Sequence, residues 1–278
     1  MKNFKIQLSV LVLPLLVSCT VGVVQEKFSD QRIFEHVLAT LQGTMEDFEF
    51  NSQFRVSESS SADDTCVRGI NCSLVTEKIS HGFDKCKIIS SSVELNGLAF
   101  LDLTQSACLE LISGTVDSTL SVTRKFTNFS RKDSHGTTTL KSESGILGTY
   151  DSSAEEWQIL ISDVERSTTL SNQETEKWSI KTEDALKIKG ARASSTRFLF
   201  EGSLKVEDLL NDQIYTATPT DLRWNDPTCC YPSSGSMKVT KSTATAFSTL
   251  DFEAECGVAN WIDTDGKTGE LTLTLACE

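Results

Sequence analysis

Residues 176–190 read EKWSIKTEDALKIKG, and this stretch decides the fold class. Apolar residues alternate here with charged or polar ones, and a period of two is typical of a strand with one buried and one wet face. Antiparallel sheets show such alternation, because parallel strands are buried on both faces and read as continuous apolar runs. The buried face would carry Trp178, Ile180, Leu186 and Ile188.

The same alternation continues on both sides of this stretch. Turn-forming groups at 132–136, 151–153 and 210–212 separate segments of strand length. We therefore predict a mainly β protein with a long antiparallel meander, folded as a sandwich or as an open barrel-like sheet. Further buried faces are predicted for Phe48, Phe50, Phe54 and Val56, for Val116, Leu120, Val122 and Phe126, and for Phe198, Phe200, Leu204 and Val206.

One N-terminal helix precedes the meander. Ser29 is a suitable N-cap, and Phe28 and Ile33 stand where a hydrophobic staple needs them. Gly43 is a suitable end, so we expect a helix over residues 29–42 whose apolar stripe covers the sheet. His36 is expected at the surface or boundary, without a catalytic role. The stripe consists of Ile33, Phe34, Val37, Leu38 and Leu41.

The last part of the chain predicts a small C-terminal β-hairpin unit. Pro227, Pro232 and Gly235 favour a junction after residue 222, and Asp265-Gly266 is a typical hairpin turn. Strands are expected at 237–240, 247–256, 258–262 and 270–275. The predicted organisation is thus a leader at 1–18, a tether at 19–28, helix plus meander at 29–222, and the hairpin unit at 223–278.

Composition limits the function classes. The chain has 278 residues, of which 38% are hydrophobic and 23% charged, so it can bury a core. Its formal net charge is -13, which argues against nucleic acid as a partner, because phosphate backbones need a basic footprint.

The nine cysteines favour disulfides over a metal site. Without Cys19 they form two groups of four, and neither group shows the close ligand pairs of a zinc site. We expect disulfides within each group, with Cys66–Cys72 and Cys86–Cys108 preferred in the first. Cys229 and Cys230 are expected to pair elsewhere rather than with each other, because neighbouring strand residues point to opposite faces. The candidates are Cys66, Cys72, Cys86, Cys108, Cys229, Cys230, Cys256 and Cys277.

The N-terminus has the pattern of an export signal. Lys2 and Lys5 precede an apolar run at 6–17, which is shorter than the roughly 20 residues that a membrane-spanning helix needs. The run ends in Leu16-Val17-Ser18-Cys19, and Leu16 fits an ordinary cleavage site poorly. This tetrapeptide resembles the lipobox of bacterial lipoproteins.

The resemblance implies a diacylglyceryl group on the Cys19 thiol, cleavage before Cys19, and fatty acyl chains such as palmitate as the membrane anchor. More than one acyl chain makes such an attachment lasting. Thr20 stands where an Asp would mark retention at the inner membrane. The implied location is the bacterial cell envelope, at the outer membrane if the source is Gram-negative.

A second resemblance involves the C-terminal segment. The motifs Cys229-Cys230-Tyr231-Pro232, Glu255-Cys256-Gly257 and Asp265-Gly266 resemble the closing region of β-rich bacterial surface lipoproteins. The resemblance implies a β module of a lipoprotein and no particular activity.

Candidate chemistry is sparse. Asp251, Glu253 and Glu255 alternate along a predicted strand and would form an acidic face, either solvated or open to a cation or basic partner. No nucleophile elbow, metalloprotease helix or phosphate loop occurs in the sequence, and we expect no metal and no cofactor.

Three function classes remain. The first is a membrane-anchored, non-enzymatic envelope lipoprotein that binds another envelope or surface macromolecule or has a structural role. The second is a carrier of a lipid or small apolar ligand in a cavity between sheet and helix. The third is a carboxylate-dependent hydrolase.

Overall fold

The computed structural model describes residues 30–48, 78–88, 93–102, 119–132, 136–189, 197–224, 229, 231–253 and 255–273. These residues form a helix, α1 (Gln31–Phe48), followed by twelve strands. The strands are β1 (Lys78–Ile88), β2 (Val93–Asp102), β3 (Leu120–Lys132), β4 (Gly136–Asp151), β5 (Glu156–Leu170), β6 (Thr175–Lys189), β7 (Arg197–Asp208), β8 (Gln213–Trp224), β9 (Ser234–Lys241), β10 (Phe247–Phe252), β11 (Val258–Ile262) and β12 (Thr268–Thr272).

All twelve strands belong to a single sheet in which each strand pairs antiparallel with its neighbours in sequence. Within the described part of the chain, β1 and β12 form the two edges, so the sheet is open. The predicted mainly β fold, with an antiparallel meander and one N-terminal helix, is therefore confirmed. Of the two predicted alternatives, the described strands form the open sheet and not a sandwich of two sheets.

A meander places its turns alternately at two ends of the sheet. We call the end with turns 171–174, 209–212, 242–246 and 263–267 the proximal end, because α1 begins there. The turn at 152–155 and the turn residues 253 and 255–257 lie at the opposite, distal end. This division decides which loops can act together.

The helix lies inside a curled sheet. The six consecutive residues 33–38 are all buried, although they cover more than one full turn of an α-helix. A helix that only covered a flat sheet would leave its outer face in water. Phe34, Val37 and Leu41 are completely buried against a core that includes Ile180, Leu204, Val206 and Leu250.

The curl coincides with register irregularities that cross the sheet from β3 to β7. Between the pairs Thr182–Leu204 and Ile188–Leu199, the chain takes six steps along β6 and five along β7. Such a bulge bends a sheet and moves side chains to the other face. Gly202 lies at this point, with a φ of 120° that side-chain-bearing residues rarely adopt.

The bulge makes one prediction for β7 wrong. Leu199 is fully buried, whereas Phe198 and Phe200 lie on the outer face and are partly exposed. Their ring centroids are 5.5 Å apart, and the Arg223 guanidinium lies 3.8 Å from the Phe198 centroid. The other predicted faces in the described strands are confirmed, with Leu120, Val122, Phe126, Trp178, Ile180, Leu186, Ile188, Leu204 and Val206 buried.

The helix is longer than predicted. It begins at Gln31 and runs to Phe48, so Gly43 does not end it and Phe48 is not a strand residue. Met45 and Phe48 continue the helical spacing after Leu41, which explains why one glycine does not stop the helix. The predicted cap Ser29 and the positions Phe50, Phe54, Val56 and Val116 lie outside the described residues.

The C-terminal strands extend the same sheet. β8 pairs with β9 from Tyr215–Lys241 to Arg223–Ser234, across the junction that the sequence placed after residue 222. A disulfide joins Cys229 to Cys256, with a Cα–Cα distance of 5.6 Å, at the distal end. Cys229 thus pairs within its predicted group and not with Cys230.

No helix in the described part of the chain has the length and apolar character needed to cross a membrane.

If Gly202 is needed for the curl, replacing it should destabilise the protein more than replacing Gly266, which also has a positive φ. A Cβ at Gly202 would lie 2.7 Å from the Ala185 carbonyl oxygen, whereas a Cβ at Gly266 meets nothing within 4 Å. We expect Gly202→Ala to lower the free energy of unfolding by about 2–4 kcal/mol and Gly266→Ala by about 1 kcal/mol. Denaturant titration of both variants measures this, and equal losses would contradict the role of Gly202 in the bend.

Candidate functional site

The first candidate site is the contact between α1 and two strands at the proximal end. We call it the latch and define it as Asp30, Arg32 and His36 from the helix segment, Glu176 of β6 and Ser248 of β10. Glu176 and Ser248 are each the second residue of their strand. The latch therefore attaches the first two turns of the helix to strands that are four apart in the sheet.

Arg32 holds Glu176 with two parallel hydrogen bonds. Its Nε donates to Oε1 over 2.7 Å and its Nη2 donates to Oε2 over 2.5 Å. Its Nη1 donates to Oε2 of the buried Glu35 over 2.7 Å. Two-pronged guanidinium–carboxylate pairing fixes the orientation of both groups as well as their distance.

His36 completes the ring around Glu176. Its side chain is 1% exposed, its Nε2 lies 2.7 Å from Glu176 Oε2, and its ring centroid lies 5.0 Å from that of Trp178. An ionised carboxylate can only accept, so Nε2 donates and a neutral ring leaves Nδ1 without a proton. The expectation of a surface or boundary histidine is therefore wrong, because the curled sheet encloses the helix.

The latch changes the ionisation of both partners. Burial lowers the pKa of His36 to about 4, although its hydrogen bond to Glu176 favours the charged ring, and the Arg166 charge lowers it further. Burial would raise the pKa of Glu176, but the hydrogen bonds with His36 and Arg32 and the nearby positive charge lower it to about 2. At neutral pH the latch is thus a carboxylate paired with Arg32 and a neutral imidazole.

Asp30 and Ser248 form the second contact of the latch. The Ser248 hydroxyl donates to Asp30 Oδ2, and the Ser248 side chain is completely buried. The Asp30 carbonyl accepts from the Ile33 and Phe34 amides, at 3.0 and 3.3 Å, and so begins the helix. The start of α1 is consequently tied to β10 as well as to β6.

The contacts of the latch hold the helix in place on the sheet. Arg32, His36 and Asp30 join the helix segment to the sheet, and the Ser248 hydroxyl of the latch donates to Asp30. Sequence reasoning missed it, because Glu176 and Ser248 lie 144 and 218 positions from their helix partners. The only local signal was the spacing of Arg32, Glu35 and His36 on one side of a helix.

A polar cleft of about 560 Å³ lies on the outer face of the bend, across β6, β7 and β8. The Thr216 hydroxyl donates to Glu183 over 3.2 Å, the Ser203 hydroxyl donates to Asp184 over 2.9 Å, and Lys187 pairs with Glu201 at 2.7 Å. These contacts hold the carboxylates along the wall of the cleft. The full lining is Glu183, Asp184, Ala185, Lys187, Glu201, Gly202, Ser203, Thr216 and Thr218.

The predicted acidic face at Asp251, Glu253 and Glu255 does not form as one row. β10 ends at Phe252, so Asp251 is the only one of the three in the strand. Glu253 accepts from the Asn260 side chain over 2.6 Å, and Glu255 lies in the tight turn where its carbonyl accepts from the Val258 amide. The strand ends because the chain turns after Phe252 toward the Cys229–Cys256 disulfide.

The remaining predicted site residues lie outside the described side chains. They are Cys19, Cys66, Cys72, Cys86, Cys108, Cys230 and Cys277, of which Cys86 belongs to β1 by its backbone. Among the residues that are described, no three His, Cys, Asp or Glu side chains are grouped in a way that could hold a metal ion.

Comparison with protein-family models, with curated proteins and with solved structures finds no match to this chain.

The latch predicts a loss of stability in acid in two steps. His36 binds a proton near its ordinary pKa of 6.5 only after unfolding, so stability should fall as pH drops from 6.5 to 4, by about 3 kcal/mol. Glu176 should add a second fall between pH 4.5 and 2. His36→Gln should remove the first fall, and Glu176→Gln should remove the second while keeping the part above pH 4.5.

Chemical denaturation at a series of pH values measures both steps. Glu201→Gln is the matched control, because the Glu201 side chain is 57% exposed and such ion pairs contribute at most about 1 kcal/mol. Unchanged slopes in both latch variants would contradict the assignment.

Proposed function

We propose that this chain is a lipid-anchored protein of the bacterial cell envelope whose β body has a non-enzymatic binding or structural role. The motif Leu16-Val17-Ser18-Cys19 supports the anchor. The structural observation that carries the proposal is the latch, because it fixes the point from which the chain leads back toward Cys19.

The tether is short relative to the body. Asp30 follows Cys19 by 11 positions in the sequence. A fully extended chain of this length spans at most about 40 Å. The proximal end would therefore stay close to the membrane. In a Gram-negative source this membrane would be the outer membrane.

The cleft at the bend is the proposed binding surface of the body. Its hydroxyl and carboxylate groups suit a polar or basic partner, and the formal net charge of -13 argues against nucleic acid. We infer that the partner is another envelope or surface macromolecule that meets the outer face of β6, β7 and β8.

A carrier function would need a different arrangement. Phe34, Val37 and Leu41 fill the concave side of the sheet, so an apolar ligand there would have to displace α1 and break the latch. A hydrolase would need an acid and a base free to face one ligand, whereas Glu183, Asp184 and Glu201 each hold a partner in the cleft wall. We therefore rank the binding role above the carrier and hydrolase functions.

Acylation of Cys19 tests the anchor. The intact mass of protein purified from membranes should equal residues 19–278 plus the diacylglyceryl group and any further acyl chain. Cys19→Ala should leave the unprocessed precursor, while Cys230→Ser, which spares the motif, should be acylated normally. A mature N-terminus without lipid in the native protein would remove the anchor from the proposal.

Photo-crosslinking in intact cells tests the binding role. A photoreactive amino acid at Thr218, an exposed residue of the cleft, should give a discrete cross-linked macromolecular product. The same group at Leu160, which is 44% exposed outside the cleft, is the control. Identical products from both positions, or none from Thr218, would contradict the assignment of the cleft.

A further inference from the structure

Exposed apolar side chains collect at the proximal end. The described part of the chain has six exposed large hydrophobic residues, and four of them lie in or beside the proximal turns. Leu209 and Leu210 are 41% and 53% exposed, and Phe247 and Ile262 are 45% and 42% exposed. Single exposed apolar residues are ordinary, but a group at one end marks an interaction surface.

The two leucines are held outward by a fixed turn. Asp208 Oδ1 accepts from the amides of Leu210 and Asn211, at 3.0 and 3.2 Å, and the Leu209 amide donates to the Lys177 carbonyl over 2.9 Å. The turn therefore cannot easily fold its apolar side chains back onto the sheet. The hydrogen bonds of the turn therefore keep Leu209 and Leu210 exposed.

The next proximal turn is uncharged. Residues 242–246 are Ser, Thr, Ala, Thr and Ala, and they lead directly into Phe247. The Lys238 ammonium lies 3.8 Å from the Phe247 ring centroid, an arrangement in which an apolar side chain can enter an interface while its cation stays at headgroup level.

These turns lie in one line across the proximal end of the sheet. The turns at 209–212, 242–246 and 263–267 are two strands apart from each other, so they span about 19 Å at the usual strand spacing. We call this line the proximal rim. The tether begins at the same end, because Asp30 contacts Ser248 one residue after Phe247.

We propose that the proximal rim docks on the glycerophospholipid bilayer to which the tether leads, with Leu209, Leu210, Phe247 and Ile262 entering the interfacial layer. The inference rests on the lipid anchor proposed above, since the anchor brings this end of the sheet to the bilayer. Docking would orient the body, with the distal end and its Cys229–Cys256 disulfide farthest from the membrane.

Charge on the rim indicates the kind of lipid. Asp212, Asp263 and Asp265 outnumber Lys267 in the three turns, so anionic headgroups would be repelled. Docking should therefore be stronger on phosphatidylcholine and phosphatidylethanolamine than on bilayers rich in phosphatidylglycerol.

Depth-dependent fluorescence quenching tests the docking on the full acylated protein. Phe247→Trp and Leu160→Trp place a reporter at sites of almost equal exposure, 45% and 44%, inside and outside the rim. In vesicles of phosphatidylethanolamine and brominated phosphatidylcholine, the signal added by Phe247→Trp should be quenched several-fold more than the signal added by Leu160→Trp. Adding Leu210→Asp to Phe247→Trp should reduce this quenching.

The outcomes separate the two proposals. An intact mass without an acyl group on Cys19 overturns the anchor. Acylated protein in which both reporters are quenched equally overturns the docking alone. Protection of the Phe247→Trp reporter from aqueous quencher that rises with protein concentration, without quenching by brominated lipid, means a second copy covers the rim and also overturns the docking.

Discussion

The rest of the structure depends on one interaction, the hydrogen bonding of the Glu176 carboxylate with Arg32 and His36. A curled sheet with an empty concave side would leave its apolar face in water. The helix supplies the missing core, and Glu176 fixes where along the sheet it lies. The buried His36 ties the helix to this position, because elsewhere along the sheet its ring would lose the hydrogen bond with Glu176.

The curl itself comes from the backbone. Register irregularities cross β3 to β7, and Gly145 and Gly202 take conformations that suit glycine at this bend. The same bend has two faces with different consequences. Its concave side receives the helix, while its convex side opens into the polar cleft between β6 and β8. One backbone feature thus produces both the core and the proposed binding surface.

The sequence was sufficient for the fold class because period-two alternation records only which face is wet. Trp178 and Ile180 are buried as their spacing indicates. The pattern failed at Phe198 and Phe200. β6 has one more residue than β7 in the bulge, and this reverses which residues of β7 are buried. Alternation in the sequence does not indicate where a bulge lies. Phe48 was misplaced because one residue can satisfy a helical and a strand period at once. The latch was invisible for another reason, as its partners are brought together only by the complete meander.

The Asp30–Ser248 contact joins two residues that are 218 positions apart. A chain that emerges from the ribosome or a translocation pore amino terminus first delivers α1 at the beginning and β10 almost at the end. Until then, Phe34, Val37 and Leu41 have only part of their final packing, and contacts of such large sequence separation form slowly. Maturation of the body is therefore timed by its last strands.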